Sequence, residues 1–129
     1  MSKKYRIHIT NGITIISFTA APTFDDAKQV IDKLKKDNLY HLRLWDFSNI
    51  LFNFSTEEIE QIANYGKLKF TEKNRIAMVA PQDLAFGTLR MFEVYRDQNS
   101  PSISRVFRTK EDAMKWLEEQ QVLLATGLG

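Results

Sequence analysis

The chain has 129 residues, of which 43% are apolar, and a formal net charge of +2 from 18 basic and 16 acidic side chains. That size suits a single domain, residues 1–129, with one buried core, and so even a charge balance offers no one-signed surface for nucleic acid, so no nucleic-acid partner is expected. Cysteine is absent, which excludes disulfides and thiolate chemistry and fits a cytoplasmic setting.

The opening MSKKYRIHIT has no apolar stretch of signal-peptide length, and no run approaches the roughly 18 apolar residues of a membrane span. The expected location is cytoplasmic, with a peripheral place at a membrane as its variant. Tyr5, Ile7 and Ile9 alternate with Arg6 and His8, as a half-buried strand requires. Asn11 and Gly12 suit a two-residue hairpin turn, because both tolerate positive φ, and residues 13–19 read as the returning strand. Thr23, with Asp26 three residues on, marks a helix start. Phe24, Ala27, Val30, Ile31 and Leu34 then fall on one stripe, and the helix ends near Lys36.

The apolar run LRLW leads into Asp46, and residues 42–47 form the third strand. Ser55 and Glu58 have the spacing of a capping box for a helix over 56–70, whose buried face carries Ile59, Ile62, Ala63, Gly66 and Phe70. RIAMVA at 75–80 is nearly continuously apolar, as in a covered parallel strand. A helix follows from Gln82 or Asp83 to about Asp97. The wheel places Leu84, Ala85, Thr88, Met91, Phe92 and Tyr95 on its core side, and Phe86, Gly87, Arg90 and Val94 on its wet side. After Pro101 a fifth strand spans 103–108, and Thr109 caps a last helix running to about Gln121. The tail VLLATGLG is apolar enough to dock on the core or on a partner. The order ββαβαβαβα predicts an α/β fold: a five-stranded mixed sheet with an antiparallel opening hairpin and four helices.

This order, together with DFSNILFNFSTEE at 46–58, resembles the STAS fold of anti-sigma-factor antagonists, where the third strand ends in a pattern like D-L-S-x-V-x-F-x-D-S-S-G. Asp46, Phe47, Ser48, Ile50, Phe52, Ser55 and Thr56 fit it. The chain is more similar still to the SpoIIAA-like (STAS/CRAL-TRIO-like) group of small bacterial proteins, through APQDLAFGTLRMFEVYRD, SRVFRT and EDAMKWL. The resemblance implies a STAS-like fold, and by analogy with lipid-carrying CRAL-TRIO domains it implies a lipid-like ligand. The phosphoacceptor position of the antagonists falls on Thr56. Phe54 stands where they carry an aspartate and Glu57 where they carry glycine, so a phosphorylation switch is not expected, although Thr56 is the residue that would carry one.

Candidate site residues cluster around the loop at 48–55. Asp46 ends an interior strand, where open α/β sheets place their ligands; it could orient a ligand hydroxyl or tie down the loop's backbone. Ser48 and Asn49 are turn formers. Phe52 and Phe54 either plug the end of the core or form an apolar mouth. Leu84, Phe86 and Met91 on the later helix would add apolar contact, and Asp46, Ser48 and Arg90 polar orientation. Arg75, Arg90, Arg96, Arg105 and Arg108 would bind an anion if clustered, or else sit solvated and ion-paired at the surface. His8 and His41 lack metal-site spacing, and no P-loop, G-x-G-x-x-G or G-x-S-x-G occurs. No metal, cofactor or catalytic residue is therefore expected, and the chain is not expected to be an enzyme. The expected role is a non-catalytic binding module for a small apolar or amphipathic ligand or a membrane surface. The alternative is a regulatory protein–protein interaction domain, with a homodimer as one form of it.

Overall fold

β1 (Tyr5–Thr10) and β2 (Ile13–Phe18) pair antiparallel. Asn11 and Gly12 between them take φ of 52° and 78°, the twin positive values that match the twist of the flanking strands. The remaining strands are β3 (Leu42–Asp46), β4 (Asn74–Val79) and β5 (Ser102–Phe107). The computed structural model describes residues 4–127, and in it the sheet runs in the order β1-β2-β3-β4-β5, parallel from β2 onward. The α/β fold with a five-stranded mixed sheet and four helices is thus as expected.

The helices are α1 (Phe24–Lys36), α2 (Thr56–Lys69), α3 (Asp83–Asp97) and α4 (Lys110–Ala125). Thr23 and Ser55 each close a reciprocal capping box with Asp26 and Glu58, satisfying donors that a helix start leaves orphaned. Thr109 accepts from the Asp112 N–H at the start of α4. α4 runs past Gln121 to Ala125, so the first half of the apolar tail is its last turn; Leu128 and Gly129 lie outside the described residues.

Strand alternation splits the core in two. Ile16, Phe18, Trp45, Phe47, Ile76 and Met78 face α1, α2 and α3. Ile13, Ile15, Leu44, Ala77 and Val79 face α4 through Ala113, Trp116 and Leu117. β4 is buried at every position, as an interior strand covered on both sides must be. The open edge of β5 is covered by α3 carboxylates: Val106 N–H donates to Glu93 Oε1 at 2.6 Å and Ser104 N–H to Asp97 Oδ2 at 2.8 Å. Free strand N–H groups that would template a foreign strand are thereby occupied.

One helix sits differently from expectation. The buried residues of α3 are Ala85, Leu89, Phe92 and Arg96, whereas Leu84 is 81% and Met91 37% exposed. Apolar side chains occur all round this helix, so its wheel carries no single stripe and the choice falls to the packing partners. Gly87 has open space around it, not a close backbone approach.

Candidate functional site

Between the sheet and α1–α3 lies a cavity of about 40 Å³ with almost wholly apolar walls. Trp45, Phe47, Ile76 and Met78 line it from the sheet, Ala27 and Ile31 from α1, Ile59 and Ile62 from α2, Leu89 and Phe92 from α3. The rest of its wall is of two kinds, at opposite ends of β3.

At the carboxyl end are Phe52 and Phe54 from the loop before α2. Their rings meet edge to face at 4.9 Å between centroids, and Phe52 meets Phe47 the same way at 5.2 Å. Phe47 in turn stacks on Phe18 at 5.0 Å. Phe52 and Phe54 are only partly buried, and Leu51 beside them is 70% exposed. These phenylalanines therefore pack on the end of the core, with the cavity beneath them.

At the amino end are Arg43 and Arg96. Arg43 is 2% and Arg96 0% exposed, and among the described residues neither has a carboxylate within ion-pair distance. Arg43 Nη1 donates to the Tyr40 carbonyl and to Asn74 Oδ1, and its guanidinium lies 4.4 Å from the Phe70 ring centroid. Arg96 Nη1 donates to Ser100 Oγ at 2.8 Å and Nη2 to the Gly66 carbonyl at 3.4 Å. The Nε of each is buried without a partner. Burial holds the Arg43 guanidinium well below the ordinary arginine range, with the charge of Arg96 adding to the effect. Burial likewise brings Arg96 down to about 10, opposed by the neighbouring Asp97; the group still carries its proton at neutral pH.

The sequence-based candidates divide accordingly. Phe52 and Phe54 line the cavity. Asp46 is buried, but its Oδ1 accepts from both the backbone N–H and the hydroxyl of Ser48, so Asp46 and Ser48 tie the loop in a local turn. Alternation along β3 sets Asp46 on the α4 side, opposite Trp45. Leu84 and Met91 lie off the cavity on the outer face of α3, because the helix is rotated from the expected wheel. Arg90 is exposed and pairs with Glu93 at 3.7 Å. Phe86 is neither free nor at the cavity: it is half-buried against the core, with Arg108 stacked 4.0 Å from its ring centroid. Thr56 is exposed in the first turn of α2. Of the arginines weighed as an anion cluster, Arg108 pairs with Asp83 and Arg75 donates to Gln120; only Arg96 reaches the cavity.

Arg43 and Gly66 were not among the candidates. Arg43 has a sequence signal, since it is a cation inside the run LRLW of an interior strand, which is covered on both faces. His41 bonds Glu72 Oε2 at 3.2 Å. Among the described residues no helix is long and apolar enough to cross a membrane, and no three His, Asp or Glu side chains gather as a metal site. No family model matches the chain, and no curated protein does.

Proposed function

We propose that the chain is a non-catalytic binding module for a small apolar or amphipathic molecule, held between the sheet and α1–α3. One observation supports this above the others: the hollow in the larger core cluster is lined at one end by Phe52 and Phe54, two half-buried side chains on a loop. Ligand sites are concave, mostly apolar, and carry a few placed polar groups. About 40 Å³ holds little more than a water or two, so a ligand would enter only with the two phenylalanine rings swung outward. The resemblance to the SpoIIAA-like group agrees with this reading, and we propose membership of that group with it.

The two tryptophans report on it separately, since Trp45 lines the cavity while Trp116 packs on the other face of the sheet. A Trp116→Phe variant leaves Trp45 as the sole tryptophan. Titration with unbranched amphiphiles of eight to twelve carbons should shift its emission saturably. No change with any chain length, in a protein of unaltered circular dichroism, would sink the reading.

A second reading has its own observation. Leu84, Gly87, Met91 and Val94 recur at three-to-four-residue spacing on α3, and Leu84 and Val94 are 81% and 67% exposed. An unpartnered apolar helix stripe favours a protein partner or a second copy of the chain. Light scattering of the wild type against Leu84→Glu separates self-association from a monomer.

A further inference from the structure

We infer that Arg43 and Arg96 receive the head group of the ligand, and that the ligand is an unbranched monocarboxylic acid of about ten carbons. This deepens the pocket reading above and rests on it.

The first ground is the unpaired charge. Two buried guanidinium groups share one apolar cavity, with no carboxylate in contact and an unbonded Nε on each. Burying two like charges is costly; Asp97 offsets Arg96 from beyond ion-pair distance, Arg43 has no such offset, and an anion between the two would relieve both. The other edges of both groups are already fixed. Arg43 is held by Tyr40, Asn74 and the Phe70 ring, and Arg96 by Ser100 and Gly66. Ser102 joins the two anchors, its hydroxyl donating to Asn74 Oδ1 at 3.0 Å and its backbone N–H donating to Ser100 Oγ at 3.2 Å. The guanidinium groups are thus positioned by a polar network behind them.

The second ground is that room has been made for Arg96. A Cβ on Gly66 would sit 2.9 Å from Arg96 Nε, closer than atoms pack, and Gly66 itself lines the cavity. Glycine inside a helix is unfavourable relative to alanine, and here its missing side chain is the space that lets the arginine reach inward.

The third ground is the axis of the pocket. Its aromatic end is at Phe47, Phe52 and Phe54 and its basic end at Arg43 and Arg96. From Arg43 to Phe47 the strand advances roughly 13 Å at about 3.3 Å per residue. An extended chain gains about 3.4 Å for every three bonds, so some eleven bonds span that length. The fork of a guanidinium matches a planar carboxylate.

The test compares decanoate with decanol on the wild-type protein by isothermal titration calorimetry at neutral pH. The chains are alike, and a purely apolar pocket would prefer the alcohol. Decanoate binding at least about tenfold tighter than decanol supports the inference. Equal binding, or tighter decanol, overturns the head-group assignment and leaves the pocket reading standing. Binding of neither removes both. Arg43→Met and Arg96→Met should each lose the preference for decanoate over decanol. A folded variant that retains the preference overturns the role of that arginine, and the wild-type comparison stands whether or not the variants fold.

Discussion

Gly66 and Arg96 occupy one another's space: the nearest atom to a Cβ built on Gly66 is Arg96 Nε at 2.9 Å, with Arg96 Cδ at 3.5 Å and Cζ at 3.6 Å. The arginine side chain therefore runs along α2 at the point where that helix presents bare backbone, and it is fully buried there. Gly66→Ala inside an exposed helix would add about 1 kcal/mol of stability. Here it is expected to lower stability by about 1 kcal/mol, because overpacking a filled interior outweighs the propensity gain. The loss should disappear in the double variant Gly66→Ala, Arg96→Met. Urea denaturation of the four proteins of the cycle checks it, and additive effects would mean that the two positions do not share space in solution.

Arg96→Met alone should raise the stability of the ligand-free protein by about 1 kcal/mol or more. Methionine is of similar length, adapts to irregular space, and removes a buried charge that Asp97 offsets only from beyond ion-pair distance; replacing buried charge by packed apolar groups is commonly stabilising. Its hydrogen-bond partners are not stranded, since Ser100 Oγ still accepts from Ser102 N–H and the Gly66 carbonyl from Phe70 N–H. Thermal unfolding gives the readout, and a fall in melting temperature would show that the arginine is a structural member of the core.

What could be seen in the sequence follows the range of the interaction. Thr23 with Asp26, Ser55 with Glu58, and Asn11 with Gly12 act over three residues or fewer, so their chemistry stands in the letters and the structure has them as expected. The faces of α1 and α2 were legible because each carries one apolar stripe. α3 carries apolar residues on several sides, and whether Leu84 or Leu89 turned inward depended on β5 and α2, which no local pattern encodes. The floor of the cavity was least visible. Arginine is assigned to the surface by default, and Arg43 and Arg96 are 53 positions apart in the chain, brought together by the pairing of the strands and the packing of α3 on α2 and β5. The mouth was visible for the opposite reason: phenylalanines at 52 and 54 are out of place in a polar turn.

Phe86 shows the same limit and yields a different prediction from its sequence reading. If it were solvent-facing, Phe86→Ser would leave stability unchanged. It is instead half-buried against the core, with the Arg108 guanidinium over its ring. The same guanidinium donates to the Pro81 carbonyl at 3.0 Å and to Asp83 at 2.6 Å. Phe86 thus lies beneath a latch that joins the end of β5 to the start of α3. Phe86→Ser should cost about 1–2 kcal/mol, from half a phenylalanine's burial together with a cation–π contact. Chemical denaturation measures it, and a change within about 0.5 kcal/mol would restore the exposed reading.

The carboxylates that cover the β5 edge give a pH dependence with a definite sign. Burial raises the Glu93 carboxyl above its usual range, partly offset by the bond from Val106 N–H. The folded protein thus keeps a proton on Glu93 to higher pH than the unfolded chain does. Stability from this group is present below the unfolded value of 4.5 and is lost as pH rises through the folded one. Glu93→Gln retains an oxygen for Val106 N–H but has no charge to bury. The variant should be more stable than wild type at neutral pH. That advantage should shrink to nothing as acid protonates Glu93 in the wild type. The opposing loss of the Arg90 pair is small, because Arg90 is 63% exposed at 3.7 Å and such pairs contribute little. Urea melts across the acid range check the difference, and a variant less stable than wild type at neutral pH would mean that the ionised carboxylate itself holds the edge of β5.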